Sequence, residues 1–155
     1  MAKIDVPTSD IRIDKDGVWY YRGAEMHRRE IVNFFYDHLK MDPQGRYLIE
    51  LPEDRCYIQV EDTAYVVHRV MDGQGGEKGR LRILLSDGSV EPLDPKTLEM
   101  NEKNVLYCRV RNGAFPARFS RPAYYQLADH LSYDDKEGRF YLDDSGERHY
   151  IKRKN

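Results

Sequence analysis

The sequence predicts an α+β fold: a single compact unit of two related halves, each a curved antiparallel sheet packed by one helix. Three observations support this fold class. One stretch of sequence occurs twice, apolar and polar residues alternate in many short segments, and one segment of the first copy carries apolar residues at helical spacing. The chain has 155 residues, an ordinary size for one domain, and we therefore expect residues 1–155 to form one compact domain.

The internal repeat is the most informative of these observations. Residues 29–58 align with residues 121–151 when the second copy is allowed one extra residue, and ten of the thirty aligned positions are identical. A chance alignment would give roughly two identities, so the repeat predicts that the helix and strands of the two copies superpose. The identical pairs are Arg29 and Arg121, Asp37 and Asp129, His38 and His130, Leu39 and Leu131, Asp42 and Asp134, Gly45 and Gly138, Arg46 and Arg139, Arg55 and Arg148, Tyr57 and Tyr150, and Ile58 and Ile151.

The first half, residues 10–71, begins with a predicted hairpin. Its strands, 11–13 and 18–21, flank an Asp-Lys-Asp-Gly turn. A helix is predicted over residues 24–41, because apolar residues follow at 3.6-residue spacing and a turn with Pro and Gly ends them. We expect Phe34, Phe35 and Leu39 to be mostly buried. The apolar stripe consists of Ile31, Phe34, Phe35 and His38, with Val32 and Leu39 beside them. Strands are then predicted at 46–51, 56–60 and 65–71.

The second half, residues 80–155, starts after a glycine-rich segment, 73–79, which we interpret as a mobile hairpin tip. A phosphate-binding loop is excluded there, because the lysine–serine or lysine–threonine ending is absent and a strand follows instead of a helix. Strands are predicted at 80–85, 90–93, 105–111 and 114–119, with a loop and one helical turn over 94–104. A helix capped by Ser120 follows over 122–131, and two strands close the chain around residues 144–146.

Composition excludes several classes of protein. The net charge is −2, which does not favour a nucleic-acid partner. No stretch approaches 18 apolar residues, so we expect no membrane span, and residues 1–5 show no apolar leader. The two cysteines, Cys56 and Cys108, belong to no CxxC pair, and we expect reduced thiols and a cytoplasmic location.

Motifs for catalysis, metals and cofactors are missing from the sequence. No GxSxG motif surrounds a serine, and no histidine or cysteine spacing matches a metal site. Asp37–His38 and Asp129–His130 recur in the repeat, but neighbouring residues on a helix do not face each other. We interpret these histidines as cations that favour a helix C-terminus. We therefore expect no catalytic residues, no metal ligands and no cofactor.

Two segments suggest a ligand site. Glu61 and Asp62 form an acidic pair between apolar strands, which suits either a strand-to-strand corner or a carboxylate pair at the rim of a groove. The second segment brings two arginines and two tyrosines to a helix start, where free N–H groups favour an anion. The alternative is a structural ion pair between the segments. The second set is Arg118, Arg121, Tyr124 and Tyr125.

These segments also carry a resemblance to a known family. The chain resembles the bacterial domain of unknown function 1285 family from about Ile11 to Leu131, and Val60-Glu61-Asp62 is the most specific part of the match. The other matching motifs are Ile11-Arg12-Ile13-Asp14 with Asp16-Gly17, Arg28-Arg29-Glu30-Ile31-Val32, Gly45-Arg46-Tyr47, Ile58, Tyr65-Val66, and Arg121-Pro122 with Tyr124-Tyr125 and Leu127. The resemblance implies an α+β fold with repeated motifs and no established activity, and it suggests a role in signalling or binding. The charged segment from Phe140 to Lys154 departs from the apolar, glycine-rich end expected of the family.

The sequence therefore favours a non-enzymatic binding or regulatory module, whose partner is an unknown protein or a small anionic ligand. One alternative is an enzyme for a small anionic substrate, with Arg121 binding the substrate and Glu61 or Asp62 acting as base. Another is a homodimeric scaffold built through an exposed sheet edge. An enclosed pocket with converging groups would favour the enzyme, whereas an open patch rich in tyrosine would favour the binding module.

Overall fold

The computed structural model describes residues 6–73, 80–144 and 146–154. The chain folds as two compact units, Met1–Ala64 and Tyr65–Asn155. The described residues hold two α-helices and two large curved sheets, each packed by one helix, so the predicted α+β class with two halves is confirmed. The predicted glycine-rich tip lies, from residue 74 to 79, outside the described residues. No helix in the described part of the chain is long and apolar enough to cross a membrane.

The first unit is one six-stranded sheet with one helix, α1 (Arg29–Asp37). Across the sheet the order is β3-β2-β1-β6-β5-β4. Every pairing is antiparallel except that of β1 with β6, which is parallel. In chain order the strands are β1 (Thr8–Ile13), β2 (Trp19–Tyr21), β3 (Ala24–Glu25), β4 (Leu39–Met41), β5 (Tyr47–Glu50) and β6 (Arg55–Val60).

The first hairpin forms as predicted, and its turn is closed by an aspartate. One carboxylate oxygen of Asp14 accepts the backbone N–H groups of Asp16 and Val18, at 2.9 and 3.0 Å. Such a bond satisfies turn amides that have no partner in the sheet. Ile13 then pairs with Trp19, and both side chains are buried. The hairpin thus supplies the centre of the apolar core of this unit.

The predicted helix over 24–41 is too long at both ends. The structure makes Ala24–Glu25 a strand paired with β2, and makes Leu39–Met41 a strand paired with β5. Only the middle nine residues are helical. The ends differ because tertiary pairing overrides their helical preference, which is worth a few tenths of a kcal/mol per residue for ordinary residues. Helical periodicity in the sequence does not show that strand pairing competes with the helix at these residues.

The second unit contains a seven-stranded sheet and a three-stranded sheet, with helix α2 (Arg121–Ala128). The larger sheet has the order β16-β10-β11-β12-β7-β8-β9, and the smaller has the order β13-β14-β15. The strands of the larger sheet are β7 (Tyr65–Asp72), β8 (Leu81–Leu85), β9 (Val90–Pro92), β10 (Glu99–Met100), β11 (Leu106–Val110), β12 (Phe115–Phe119) and β16 (Lys152–Arg153). Those of the smaller sheet are β13 (Leu131–Asp134), β14 (Arg139–Asp144) and β15 (Glu147–Tyr150).

Helix α2 begins as predicted, with Ser120 accepting the N–H of Ala123 at 3.3 Å. It ends three residues earlier than predicted, because Leu131 starts β13 and pairs with Leu142. The helix packs on β7, where the side chain of Gln126 accepts the N–H of Val70 at 2.8 Å. A single turn of 3-10 helix, Pro95–Thr97, occupies the predicted loop.

The two large sheets are mixed and not antiparallel as predicted. Besides the pairing of β1 with β6, β12 runs parallel to β7, and β10 runs parallel to β16. Parallel pairs need long crossover connections, so strands far apart in sequence are joined side by side. The predicted first half, residues 10–71, also includes β7, which the structure pairs within the second unit. The alternation of apolar residues predicts strands, but it predicts neither the parallel pairings nor the place of β7 in the second unit.

The repeat is visible in the order of the elements. In the first copy α1 is followed by β4, β5 and β6, and in the second α2 is followed by β13, β14 and β15. Both sets of three strands are joined as antiparallel neighbours. Gly45 and Gly138 occupy matching turns and both have positive φ, 82° and 67°, a conformation that glycine adopts without strain. Superposition of the two copies stays a prediction.

Candidate functional site

An apolar groove runs along one side of α1 in the first unit. Its walls come from the hairpin of β1 and β2, from the segment that leads into the helix, and from the first turns of α1. The groove has a volume of about 460 Å³, within the range of pockets that hold small ligands. Its lining residues are Ile11, Tyr21, Ala24, Glu25, Met26, His27, Arg28, Ile31 and Phe35.

The groove exists because α1 turns a different face to the core from the one predicted. The buried residues of the helix are Val32 and Tyr36, and the hydroxyl of Tyr36 donates a hydrogen bond to the backbone oxygen of Ala64 at 2.8 Å. Phe34 is 48% exposed, so the prediction that it is buried is wrong. Phe35 is half-buried and stacks on the Trp19 ring with centroids 6.0 Å apart.

The second copy of the repeat shows the contrast. The positions that match Ile31 and Phe35 are Ala123 and Leu127, and both are fully buried in α2. The buried faces of the two helices therefore differ by one residue, which is a rotation of about 100° about the helix axis. Apolar side chains that the second copy places in its core line an open groove in the first copy.

Charged residues lie at the rim of the groove near the start of α1. Glu25 and His27 face each other, with 3.1 Å between carboxylate oxygen and ring nitrogen. Arg28, which precedes the helix, makes no hydrogen bond that caps α1 and has no ion pair among the described residues. The matching position in the second copy is Ser120, which does cap its helix. The rim therefore presents an arginine that no ion pair holds among the described residues.

The predicted acidic pair lies in the first unit. Glu61 is exposed, and its backbone N–H bonds to the oxygen of Ile13 at 2.9 Å, which extends the sheet pairing into the bend after β6. Asp62 is half-buried and lines a polar pocket of about 410 Å³ with Arg46 and Tyr57. The predicted corner between two strands is present at these residues.

The predicted cationic and aromatic set lies in the second unit. Arg118 is on β12, paired with Val66, and is half-buried. Arg121 is exposed at the start of α2, with its guanidinium carbon 5.8 Å from the centre of the Tyr124 ring. Tyr125 is exposed and meets Tyr124 edge to face. The proximity of this set to Glu61 or Asp62 stays a prediction, because it concerns residues of two separate units.

A cluster of aspartate, tyrosine and arginine occurs at the same place in both copies. In the first copy Asp42 accepts hydrogen bonds from Arg46 at 2.8 Å and from the Tyr57 hydroxyl at 3.0 Å. In the second copy Tyr150 donates to Asp134 at 2.6 Å. The arginine that lies 4.4 Å from the tyrosine ring centre is Arg46 in one copy and its match in the other, Arg139.

These clusters shift pKa values in both partners. The hydrogen bond from Tyr150 lowers the pKa of Asp134, and the same bond raises the pKa of Tyr150. Partial burial raises the pKa of Asp42, but hydrogen bonds from Arg46 and Tyr57 outweigh it and leave that pKa below its ordinary value. The carboxylates also accept backbone N–H groups of their own turns. The clusters are therefore explained by turn structure.

His38, His130 and Cys108 occupy structural positions. Nδ1 of His38 lies 2.8 Å from the backbone oxygen of Phe34 at the end of α1. His130, its match, lies 3.9 Å from a carboxylate oxygen of Asp72. Burial raises the pKa of the Cys108 thiol, which disfavours the reactive thiolate. Within the described ranges no three histidine, cysteine, aspartate or glutamate side chains are placed to hold a metal ion.

Sequence reasoning missed the groove residues Tyr21, Met26, Ile31 and Phe35 as site candidates. It assigned the apolar residues of α1 to the core and placed the candidate site on charged segments. The repeat contains a sign that the two helices pack differently. At the position aligned with Ile31, the second copy carries a small residue, Ala123. A helix whose matching positions differ this much in volume does not pack in the same way.

The fold and the groove together define a repeated α+β protein with an open apolar site in its first unit. Residues 5–63 match the model of a domain of unknown function, the N-terminal domain of DUF1285, and this match contains the whole groove. The resemblance predicted from the sequence is therefore confirmed. Comparison with curated proteins gave no match.

Two solved structures share the architecture. A DUF1285 family protein from Silicibacter pomeroyi DSS-3 is 25% identical, with a TM-score of 0.77 over 96% of this chain and 84% of that one. A second DUF1285 family protein, from Shewanella baltica OS155, is 19% identical, with a TM-score of 0.65 over 78% of this chain and 91% of that one. The second likeness is one of fold alone.

Proposed function

We propose that this protein is a non-enzymatic binding module with a regulatory role in signal transduction, and that the groove beside α1 is its ligand-binding surface. One observation carries the proposal. Ile31 and Phe35 line an open groove, although the matching side chains of the second copy are fully buried. An exposed apolar surface costs stability, and its retention at one particular site is typical of a binding surface.

The chemistry of the groove favours binding over catalysis. Ligand pockets are lined mainly by apolar side chains with a few polar groups that orient the ligand. An enzyme site needs a nucleophile or base held near groups that stabilise developing charge. The carboxylate, imidazole and guanidinium groups of the lining belong to the exposed residues Glu25, His27 and Arg28, and the remaining lining side chains are apolar except for the hydroxyl of Tyr21. An open groove with this lining supports the binding module.

The single tryptophan provides a test. Trp19 is buried against Phe35, and Phe35 lines the groove. A ligand in the groove should therefore change the fluorescence of Trp19. We expect a saturable change on titration with 1-octanol, an uncharged apolar probe, and no saturable change in an Ile31→Ser variant. Tyr125→Ser, which removes an exposed aromatic side chain from α2, should respond like the unaltered protein.

The purified protein also allows a test of the two alternatives from the sequence, the enzyme for a small anionic substrate and the homodimeric scaffold. Native mass spectrometry would detect a small molecule retained on purification and would give the oligomeric state directly. A retained molecule displaced by 1-octanol supports the binding module. Turnover of a small anionic substrate that is abolished by Arg121→Ala would favour the enzyme, and a dimer would favour the scaffold.

A further inference from the structure

Beyond the presence of an apolar groove, its rim constrains the charge of the ligand. Two arginines and one histidine occur in the segment between β2 and α1, at Arg22, His27 and Arg28, and His27 and Arg28 line the groove. Arg22 is paired with Asp10 at 3.2 Å, and His27 faces Glu25 at 3.1 Å. Arg28 lines the groove itself and has no ion pair within the part of the chain that the structure describes. An anionic group at the mouth of the groove would therefore meet a free arginine.

The position of Arg28 is unusual for a residue before a helix. Serine, threonine, aspartate or asparagine is preferred there, because its side chain accepts a free N–H of the first turn. A cation at this end of a helix is repelled by the helix dipole. The second copy has the expected serine, Ser120, and uses it as a cap. The first copy thus has a positively charged residue at the edge of an apolar groove, in the position where the second copy has a capping serine.

The nearest sheet edge argues against an extended peptide as the ligand. The strand beside the groove, β3, is the edge of its sheet and has only two residues. A peptide strand bound by edge pairing takes its affinity from a row of backbone hydrogen bonds, and two residues supply few of them. A ligand held by apolar contacts and one charge fits the observed surface better.

We propose that the groove binds a small apolar carboxylic acid, with its apolar part against Ile31, Phe35 and Tyr21 and its carboxylate at Arg28. This inference rests on the proposed function, because it assigns the ligand class of the same groove. The apolar walls supply most of the contact area, and the arginine fixes the direction in which the ligand lies. The volume of about 460 Å³ accommodates one such molecule.

The experiment compares octanoate with 1-octanol, which has the same chain length without the charge, by titration of Trp19 fluorescence in the full chain. We expect octanoate to bind about two- to fivefold more tightly, the range of one solvent-exposed ion pair. Arg28→Ser, which installs the residue of the second copy, should remove this preference, so that the variant binds octanoate and 1-octanol with equal affinity. Because serine is a good cap, the variant should fold at least as stably, as circular dichroism would check.

The outcomes separate the two proposals. Equal affinities for the acid and the alcohol, or an Arg28→Ser variant that keeps its preference for the acid, would overturn the carboxylic-acid assignment and leave the binding groove intact. No saturable response to either probe would overturn both. If only a peptide with an apolar residue and a free carboxyl terminus competes at the groove, the small-molecule assignment is wrong.

Discussion

At the scale of single residues, both copies of the repeat contain a turn in which an aspartate bonds to backbone N–H groups and to a tyrosine hydroxyl. Asp42 and Asp134 each use one carboxylate oxygen for backbone N–H groups of the turn and the other for a tyrosine hydroxyl. Asp14 and Tyr20 show the same arrangement in the first hairpin, at 3.0 Å. Three turns of the chain thus share one solution to the same problem, which is the satisfaction of backbone groups outside the sheet.

Removal of one tyrosine hydroxyl should change the titration of its aspartate. In Tyr150→Phe we expect the pKa of Asp134 to rise, because the hydrogen bond that most lowers it is gone. A depressed carboxylate pKa stabilises the fold above the unfolded pKa of about 3.9, and this contribution is lost as the pH falls through the folded pKa. The variant should therefore lose less stability on acidification than the unaltered protein.

Carboxyl-carbon NMR titration would measure the pKa, and thermal melting between pH 7 and acid pH, about 3, would measure the linkage. Tyr133→Phe is the matched control, because Tyr133 is an exposed residue of the same small sheet. An unchanged Asp134 titration in Tyr150→Phe would show that the hydrogen bond does not set this pKa.

Two aromatic residues of α1 should differ sharply in their effect on stability. Tyr36 is buried and its hydroxyl bonds to the backbone oxygen of Ala64, so Tyr36→Phe should cost about 1–2 kcal/mol by leaving that oxygen without its partner. Phe34 is about half exposed, and Phe34→Ser should change stability by less than about 0.5 kcal/mol. Denaturant unfolding checks both, and a larger loss from Phe34→Ser would place it in the core after all.

At the scale of elements, the two helices begin differently although their sequences are related. Helix α2 has a serine cap, whereas α1 is preceded by Arg28 and has no side-chain cap. The missing cap lowers the intrinsic stability of α1, which then relies on the burial of Val32 and Tyr36. The start of α1, beside the groove, is the less firmly held of the two helix starts.

Substitution of each residue before a helix tests this difference. Ser120→Ala should destabilise the protein by about 1 kcal/mol, because the bond to the N–H of Ala123 is lost. Arg28→Ala removes no capping bond, so its effect should stay within about 0.5 kcal/mol. The two free energies of unfolding would be compared by denaturant titration. A similar loss in both variants would contradict the assigned role of Ser120.

At the scale of the whole molecule, the chain is built from a helix followed by three strands, used twice within two compact units. In the first unit the three strands continue into a six-stranded sheet, and in the second they form a sheet of their own. The same local sequence pattern thus enters two different sheet arrangements. The two copies have the same order of one helix and three strands, but their strands pair within sheets of different size.

No metal ion should be needed for this architecture. Addition of a chelator should leave the melting temperature of the full chain unchanged, because both units are held by apolar cores and backbone pairing. A metal bound in the native state would add stability that a chelator removes. Thermal melting with and without EDTA measures this, and a lowered midpoint would reveal a structural metal site.

The sequence by itself determined the α+β class, the repeat and most of the strands, because these depend on local patterns. Alternation at 81–85 and 115–119, the Asp-Gly turns and the Ser120 cap were all predicted where the structure has them. Turns of this kind are fixed by residues within a few positions of each other, and no distant contact is needed to form them.

Only the tertiary structure decided which face of α1 is buried, and with it the groove. From Phe34 round to Tyr36 the apolar residues of this helix span an arc of about 200°, at about 100° per residue. Periodicity does not select one buried face from so wide an arc. Packing on Trp19 and the bond of Tyr36 to Ala64 make that choice, and they leave Ile31 and Phe35 at the groove. Parallel strand pairing was likewise decided in three dimensions, because its partners are distant in sequence.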